Sequence, residues 1–269
     1  MIIIFFIKVF ILRICWFFFK FSNKNYNHID CDLIIISHKK DYETLKKNIF
    51  KNINNINNSI GKIFIVGSTK APIEIKELDY KYIYEENLSI VKKNKFLIKG
   101  AQKGWILQQL IKLSMDAYSK RYICIDSDTL LLRKINFFKG NNPIFYLSNE
   151  LGLEYKKFER SIKLKTSVIK VFIVHMMVFE SFALKQFKNY IKKMTNKEWD
   201  KYIIDFSNDN KMGFSEYNSY ANFYYQKFPS NLGFIYNKTM SLNDLNKSYH
   251  ENFRYNCDTV SFHQNEFRK

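Results

Sequence analysis

Apolar runs separated by polar, turn-forming stretches divide this chain into alternating strand-like and helix-like segments. Residues Asp32 to Ile36 form a continuous apolar run behind one acid, the pattern of a strand buried on both faces of a parallel sheet. A turn from Ser37 to Asp41 follows, and Tyr42 to Ile56 predicts a helix with an Asn-rich tail. Lys62–Val66 is a second strand, closed by Gly67-Ser68, and Tyr80–Tyr84 is a third. Gly104–Tyr118 predicts a helix with Ile106, Leu110, Leu113 and Ala117 on one face and Trp105, Gln109, Lys112 and Asp116 on another. A strand from Arg121 to Ile125 comes next, then short strands at Leu130–Leu132 and Ile144–Leu147. The run Val171–Phe179 is apolar and β-branched, interrupted by His175. Helices are predicted at Ser181–Met194 and Lys197–Phe206. Ser215 can cap a further helix, in which Tyr217, Tyr220, Ala221 and Tyr224 recur at helical spacing. Thr259–Phe262 closes the pattern, followed by His263. The strand–helix–strand opening implies an α/β fold with a Rossmann-type mixed sheet flanked by helices. There is no G-x-G-x-x-G fingerprint and no internal repeat.

The pattern differs at the N-terminus. Within the N-terminal segment 1–21, Ile2 to Phe19 are almost continuously apolar, broken by Lys8 and Arg13. Roughly fourteen strong hydrophobes contribute about −4 to −8 kcal/mol to insertion, and two central charges at about +2.5 to +3.5 kcal/mol each nearly cancel that. Three readings stand: a marginal membrane anchor or interfacial helix, a signal peptide lacking a small-residue cleavage site, or a buried extension. The anchor reading is favoured. Lys20, Lys24, Lys39 and Lys40 on the C-terminal side then keep the main domain cytoplasmic and membrane-associated. Residues 22–30 read as a linker and residues 31–269 as one domain.

Composition changes the picture modestly. The chain has 269 residues, 43 Lys and Arg against 25 Asp and Glu, and a formal charge of +18. Lysine dominates, alongside Asn and Ile, which fits either a solvated lysine surface or attraction to an anionic membrane, nucleotide diphosphate or glycan. Zinc-finger spacing, an RNP motif and an Arg/aromatic stripe are all missing, so nucleic acid is not an expected partner. Cys15, Cys31, Cys124 and Cys257 include no C-x-x-C pair, which fits a reducing compartment and argues against a cysteine zinc site.

The chemistry concentrates at Asp126-Ser127-Asp128. A strand ending in two acids places both at the carboxyl edge of a sheet, where α/β folds bind ligands. Strand alternation puts Asp126 and Asp128 on the same side of the backbone. Such a pair can hold a hard divalent cation, and the cation a diphosphate.

Several residues in order then form a familiar set. They are the Ser37/Asp41 turn, Gly104-Trp105 with Gln108-Gln109 and Lys112-Leu113, the strand ending Asp126-Ser127-Asp128-Thr129, His175-Met176-Met177, and Ser215-Glu216-Tyr217. The chain resembles the bacterial DUF6492 group over about residues 31–263, a group similar to GT-A nucleotide-diphospho-sugar transferases. That resemblance implies a GT-A-like fold, a nucleotide-diphospho-sugar donor, a glycan or glycolipid acceptor, and Mn²⁺ or Mg²⁺ as cofactor. By analogy Asp128 is the main metal ligand, Asp126 contacts metal or donor ribose, and His263 completes the metal shell, with a surface or core-edge histidine as the alternative for His263. Ser37 and Asp41 fall near the nucleoside, with a helix cap as the alternative for both. Gln109 and Lys112 fall at the donor, with a solvated polar face as the alternative. His175 and Tyr217 line the acceptor, although a buried core histidine suits the pattern equally. Glu216, at a helix start where the dipole favours its charged form, is the candidate base for the acceptor hydroxyl, with a first-turn glutamate that only stabilises its helix as the alternative.

Two other functions compete. A HAD-type phosphatase also places D-x-D after a strand, but here the acids lie mid-chain, Leu130 occupies the fourth position, and no adjacent Asp-Asp pair follows. A non-catalytic basic protein binding anionic lipid or glycan explains the charge and the apolar N-terminus, and leaves the strand-end acids unexplained.

Overall fold

The computed structural model describes residues 30–100, 102–148, 152–167, 170–210, 213–237, 239–241 and 258–261. The apolar segment 1–21, all but the last residue of the 22–30 linker, and His263 lie outside the described residues.

The centre is a five-stranded sheet. Its strands are β1 (Cys31–Ser37), β2 (Ile60–Gly67), β3 (Lys81–Tyr84), β4 (Arg121–Asp126) and β8 (Met176–Glu180), in the order β3-β2-β1-β4-β8. The first four run parallel; β8 runs antiparallel to β4. The continuous apolar run of β1 has its reason here: Leu33 to Ile36 are all 2% exposed or less, because strands lie on both sides and helices cover the faces.

Helix α1 (Tyr42–Asn54) connects β1 to β2, and α2 (Ser89–Asn94) and α3 (Lys103–Ser114) connect β3 to β4. The remaining helices are α4 (Lys156–Ser161), α5 (Ser181–Thr195), α6 (Trp199–Asp209) and α7 (Glu216–Lys227). Two small three-stranded sheets complete the fold. One joins β10 (Thr239–Ser241), β11 (Thr259–Ser261) and β5 (Thr129–Leu131); the other joins β6 (Phe138–Lys139), β7 (Asn142–Leu147) and β9 (Gly233–Tyr236). The architecture is a mixed, mostly parallel sheet flanked by helices.

Three features of this frame position the site. From β1 the chain returns to β2 on one side; after β4 it moves away to the other. The carboxyl ends of β1 and β4 therefore bracket the topological switch point, and the register sets Ile36 beside Asp126. Next, the Asn-rich stretch around the end of α1 clamps the segment that follows the acids. Asn52 donates to the Thr129 carbonyl at 2.8 Å and accepts from the Leu131 amide at 2.7 Å, while Asn55 donates to the Leu131 carbonyl. Finally, β8 is antiparallel, so it starts where β4 ends. Ile125 pairs with Met176, and the Asp126 amide donates to the His175 carbonyl at 2.9 Å.

Candidate active site

Asp126 occupies the last position of β4, and Asp128 follows across the turn. His175 immediately precedes β8 and is carried there by its antiparallel direction. One ligand atom from each of Asp126, Asp128 and His175 lies within 4.8 Å of the others, and all three side chains are half-buried. His175 Nδ1 stands 3.3 Å from Asp126 Oδ2.

Behind this group lies a buried polar network. The Lys112 ammonium, on α3, donates to Asp126 Oδ1 at 2.6 Å and to Glu216 Oε1 at 2.7 Å. Its side chain is only 4% exposed. The Tyr217 hydroxyl also donates to Asp126 Oδ1, at 3.0 Å, and its ring lies 4.2 Å from Lys112 Nζ, within cation–π range. Gln109, one turn before Lys112, accepts from the Glu216 amide through Oε1 at 2.9 Å. The start of α7 is thus fixed by Gln109 and by Ser215, whose hydroxyl accepts from the Asn218 amide. The Lys112 carbonyl accepts from the Tyr122 hydroxyl at 2.6 Å, tying α3 back to β4.

The electrostatics follow from burial and pairing. Burial pulls the Lys112 ammonium down, but Asp126 and Glu216 outweigh it and hold it charged, above the usual lysine range. For Asp126, burial pushes up; the Lys112 charge and the His175 hydrogen bond reverse this and keep the carboxyl well below its ordinary range. Glu216 is raised by burial, with Lys112 opposing. His175 is lowered by burial and raised by Asp126, with the second effect winning. Two carboxylates, Asp126 and Glu216, face the Lys112 ammonium, and Asp128 stands beyond them on the His175 side.

Two carboxylates and one imidazole at the sheet edge form a donor set that could hold a divalent cation. Asp126 Oδ1 is taken by Lys112 and Tyr217, which leaves Oδ2 on the His175 side. A cation held here would need the ring nitrogen of His175 that faces the acids to be unprotonated.

Several expectations change against this geometry. His175 was expected to line the acceptor and His263 to ligate metal; His175 is the histidine beside the acids, and His263 is outside the described residues. Tyr217, also expected at the acceptor, spends its hydroxyl on Asp126. The face of Gln109 and Lys112 is not solvated: they are 1% and 3% exposed, because α7 covers it. Lys112 is consequently committed to two carboxylates rather than offered to a phosphate. Glu216 is the first residue of α7, as expected, and is buried and paired with Lys112. Ser37 sits at the end of β1, buried, its hydroxyl directed to the His38 carbonyl at 3.4 Å. Asp41 is half-buried at the N-cap of α1, and its carboxylate makes no capping hydrogen bond.

A family model matches residues 47–265. The chain belongs to the DUF6492 family, a family of unknown function. No curated protein matches the sequence. Among solved structures, mouse xyloside xylosyltransferase 1 is similar at 12% identity over 88% of this chain and 99% of its own, with a TM-score of 0.49. The galactosyltransferase LgtC, solved with donor and acceptor sugar analogs, is similar at 8% identity over 87% of each chain, with a TM-score of 0.46. The bifunctional glycosyltransferase WbbM is similar at 9% identity over 89% of this chain and 46% of its own, with a TM-score of 0.47.

Proposed function

We propose that this DUF6492 member is a metal-dependent glycosyltransferase of the GT-A type, moving a sugar from a nucleotide-diphosphate donor to a glycan or glycolipid acceptor, in polysaccharide synthesis at a cell surface. The observation that carries the reading is the convergence of Asp126, Asp128 and His175 at the switch point of an α/β sheet. When bound there, a divalent cation would offset the charge that builds on the leaving diphosphate. The chain's own residues prepare for that. Lys112 and Tyr217 fix the rotamer of Asp126 through one oxygen. Glu216 and Gln109 in turn fix Lys112 and α7. Asp128 supplies the second carboxylate. Glu216, with a side chain 6% exposed and bonded to Lys112, is placed to position this network; as a base for an acceptor hydroxyl it would first have to exchange that bond. On this reading Ser37, at the end of β1, and Asp41, at the N-cap of α1, would lie near the nucleoside.

The test is the melting temperature of the full chain with UDP, GDP, CMP and dTDP, each with and without Mn²⁺ or Mg²⁺. A ligand that binds only the native state raises it. A rise that needs both one nucleotide and the cation, and that disappears in Asp128→Ala, supports the reading. Absence of any paired effect, together with no transfer or hydrolysis across a broad panel of sugar nucleotides, would sink it.

A further inference from the structure

The turn between α2 and α3 carries an apolar tip inside a ring of lysines. Phe96 is 79% exposed and Leu97, beside it, 47%. Leaving two adjacent large hydrophobes in water has no benefit to folding, since burial is where such side chains stabilise. Around them stand Lys92, Lys93, Lys99 and Lys103, all exposed, and Lys95, half-buried. The ammonium groups of Lys95 and Lys103 lie 4.9 and 5.7 Å from the Phe96 ring centre.

The tip is held out rather than loose. Ile98 is buried beneath it, the Leu97 amide donates to the Asn94 carbonyl, and Asn208 of α6 brackets the turn. Asn208 accepts from the Lys99 amide at 2.9 Å and donates to the Leu97 carbonyl at 2.9 Å. Gly100, at φ 79°, takes the left-handed conformation that lets the chain leave the turn. Acidic neighbours include Glu85, Glu86 and Asp200, and Glu85 lies within the field of Lys95. Glu86 is paired with Lys95, and Asp200, which binds Lys93, is itself buried.

We propose that this tip docks the protein on an anionic lipid surface, with Phe96 and Leu97 entering the headgroup–acyl boundary and the lysines meeting lipid phosphates. The chemistry is complementary on both counts. Apolar side chains partition into that boundary, lysine stems reach back to the headgroups, and each lysine near an anionic surface adds roughly a fivefold gain in partitioning. The overall charge of +18 provides attraction at longer range. In sequence this turn is distinct from the apolar residues 1–21. It leads directly into α3, whose Gly104 lies beside the His38 ring at the carboxyl end of β1. Docking therefore brings the candidate site towards the membrane; that this delivers a lipid-borne acceptor rests on the transferase reading, whereas the docking itself does not.

The experiment reports on the tip alone, whatever else in the chain meets lipid. In the full chain, Phe96→Trp is compared with wild type by emission and by quenching with brominated phosphatidylcholine. The vesicles are phosphatidylcholine alone and phosphatidylcholine with phosphatidylglycerol. The expected result is an added emission band that shifts to the blue and is quenched only with the anionic vesicles. It weakens at least about tenfold when Lys99→Glu and Lys103→Glu are added, and it persists in Asp128→Ala. Emission unchanged by either vesicle overturns the proposal. Equal quenching in both overturns its electrostatic half. A blue shift that grows with protein concentration in the absence of lipid assigns the tip instead to a second copy of the chain.

Discussion

At the residue scale, Lys112 matters most because it is buried between two carboxylates. Removing one partner of such a network leaves the others charged and desolvated, which costs about 3–5 kcal/mol. Lys112→Met keeps the aliphatic stem and removes only the ammonium, so it isolates that term. Urea unfolding should show a loss of this size, and Lys112→Met with Glu216→Gln should recover part of it, because one stranded charge is gone. A loss under about 1 kcal/mol would show that water or rearrangement replaces the ammonium. Glu159 presents the opposite case. It is buried; Oε1 accepts from Asn218 at 2.6 Å and Asn222 at 2.8 Å, while Oε2 has no hydrogen-bond partner among the described residues. Burial, only partly opposed by Asn222, Lys156 and Asn218, pushes its pKa up to about 7 from 4.5. Between those values the unfolded chain gives up the proton and the folded chain keeps it. The unfolded state therefore binds fewer protons, and stability falls as pH rises through that window, by about 1.4 kcal/mol per unit and on the order of 3 kcal/mol in all. Glu159→Gln should flatten the dependence of unfolding free energy on pH between about 4.5 and 7. An unchanged slope would mean that Glu159 is ionised in the fold.

At the element scale, Ser215 is the hinge between packing and site. Its hydroxyl caps α7, and the next two residues supply Glu216 and Tyr217 to the Asp126 network. Ser215→Ala should cost about 1 kcal/mol in chemical denaturation, with Ser215→Gly or Ser215→Asp costing less. Equal losses for all three would point to packing rather than capping. This cap was legible in the sequence, as were β1, β2, β3, β4 and most of the helices, because their signals are local: continuous apolar runs, helical spacing, a Ser before a periodic segment. The shorter pieces were not. The helices Ser89–Asn94 and Lys156–Ser161 span under two turns each, and β9 and β10 carry no alternation long enough to stand out from their flanks. The run Val171–Phe179 was visible as apolar, but only its second half forms a strand, starting after His175. The direction of that strand is decided by pairing with β4, which no local pattern encodes.

Across the whole molecule, the site is a place where distant segments meet, and this sets what the sequence could reveal. Asp126 and Asp128 were readable because strand and acids are contiguous. Lys112 and Glu216 stand 104 residues apart, and each was a candidate on its own helix, for the donor and for the acceptor, with nothing in the sequence to pair them. Only the packing of α7 over α3 and β4 buries them together. His175 was visible as a polar break in an apolar run, yet its neighbour was not, for want of the direction of β8. The same convergence leads to a prediction about the whole fold. If Asp126, Asp128 and His175 bind one cation, the segments that carry them are cross-linked at the carboxyl edge of the sheet and nowhere else. Hydrogen exchange of the full chain in Mg²⁺ should then slow for peptides around 126–129, 175–177 and 216–218, by about tenfold at ten times Kd for amides that open only in the cation-free protein. Peptides at the other end of β4, where Arg121 pairs with Glu180, should exchange as before. The Asp128→Ala protein should show no slowing in any peptide. Slowing confined to the acid turn, with 175–177 unaffected, would remove His175 from the ligand set. Slowing spread evenly over both edges would mean that the cation stabilises the fold globally, without a site at the switch point.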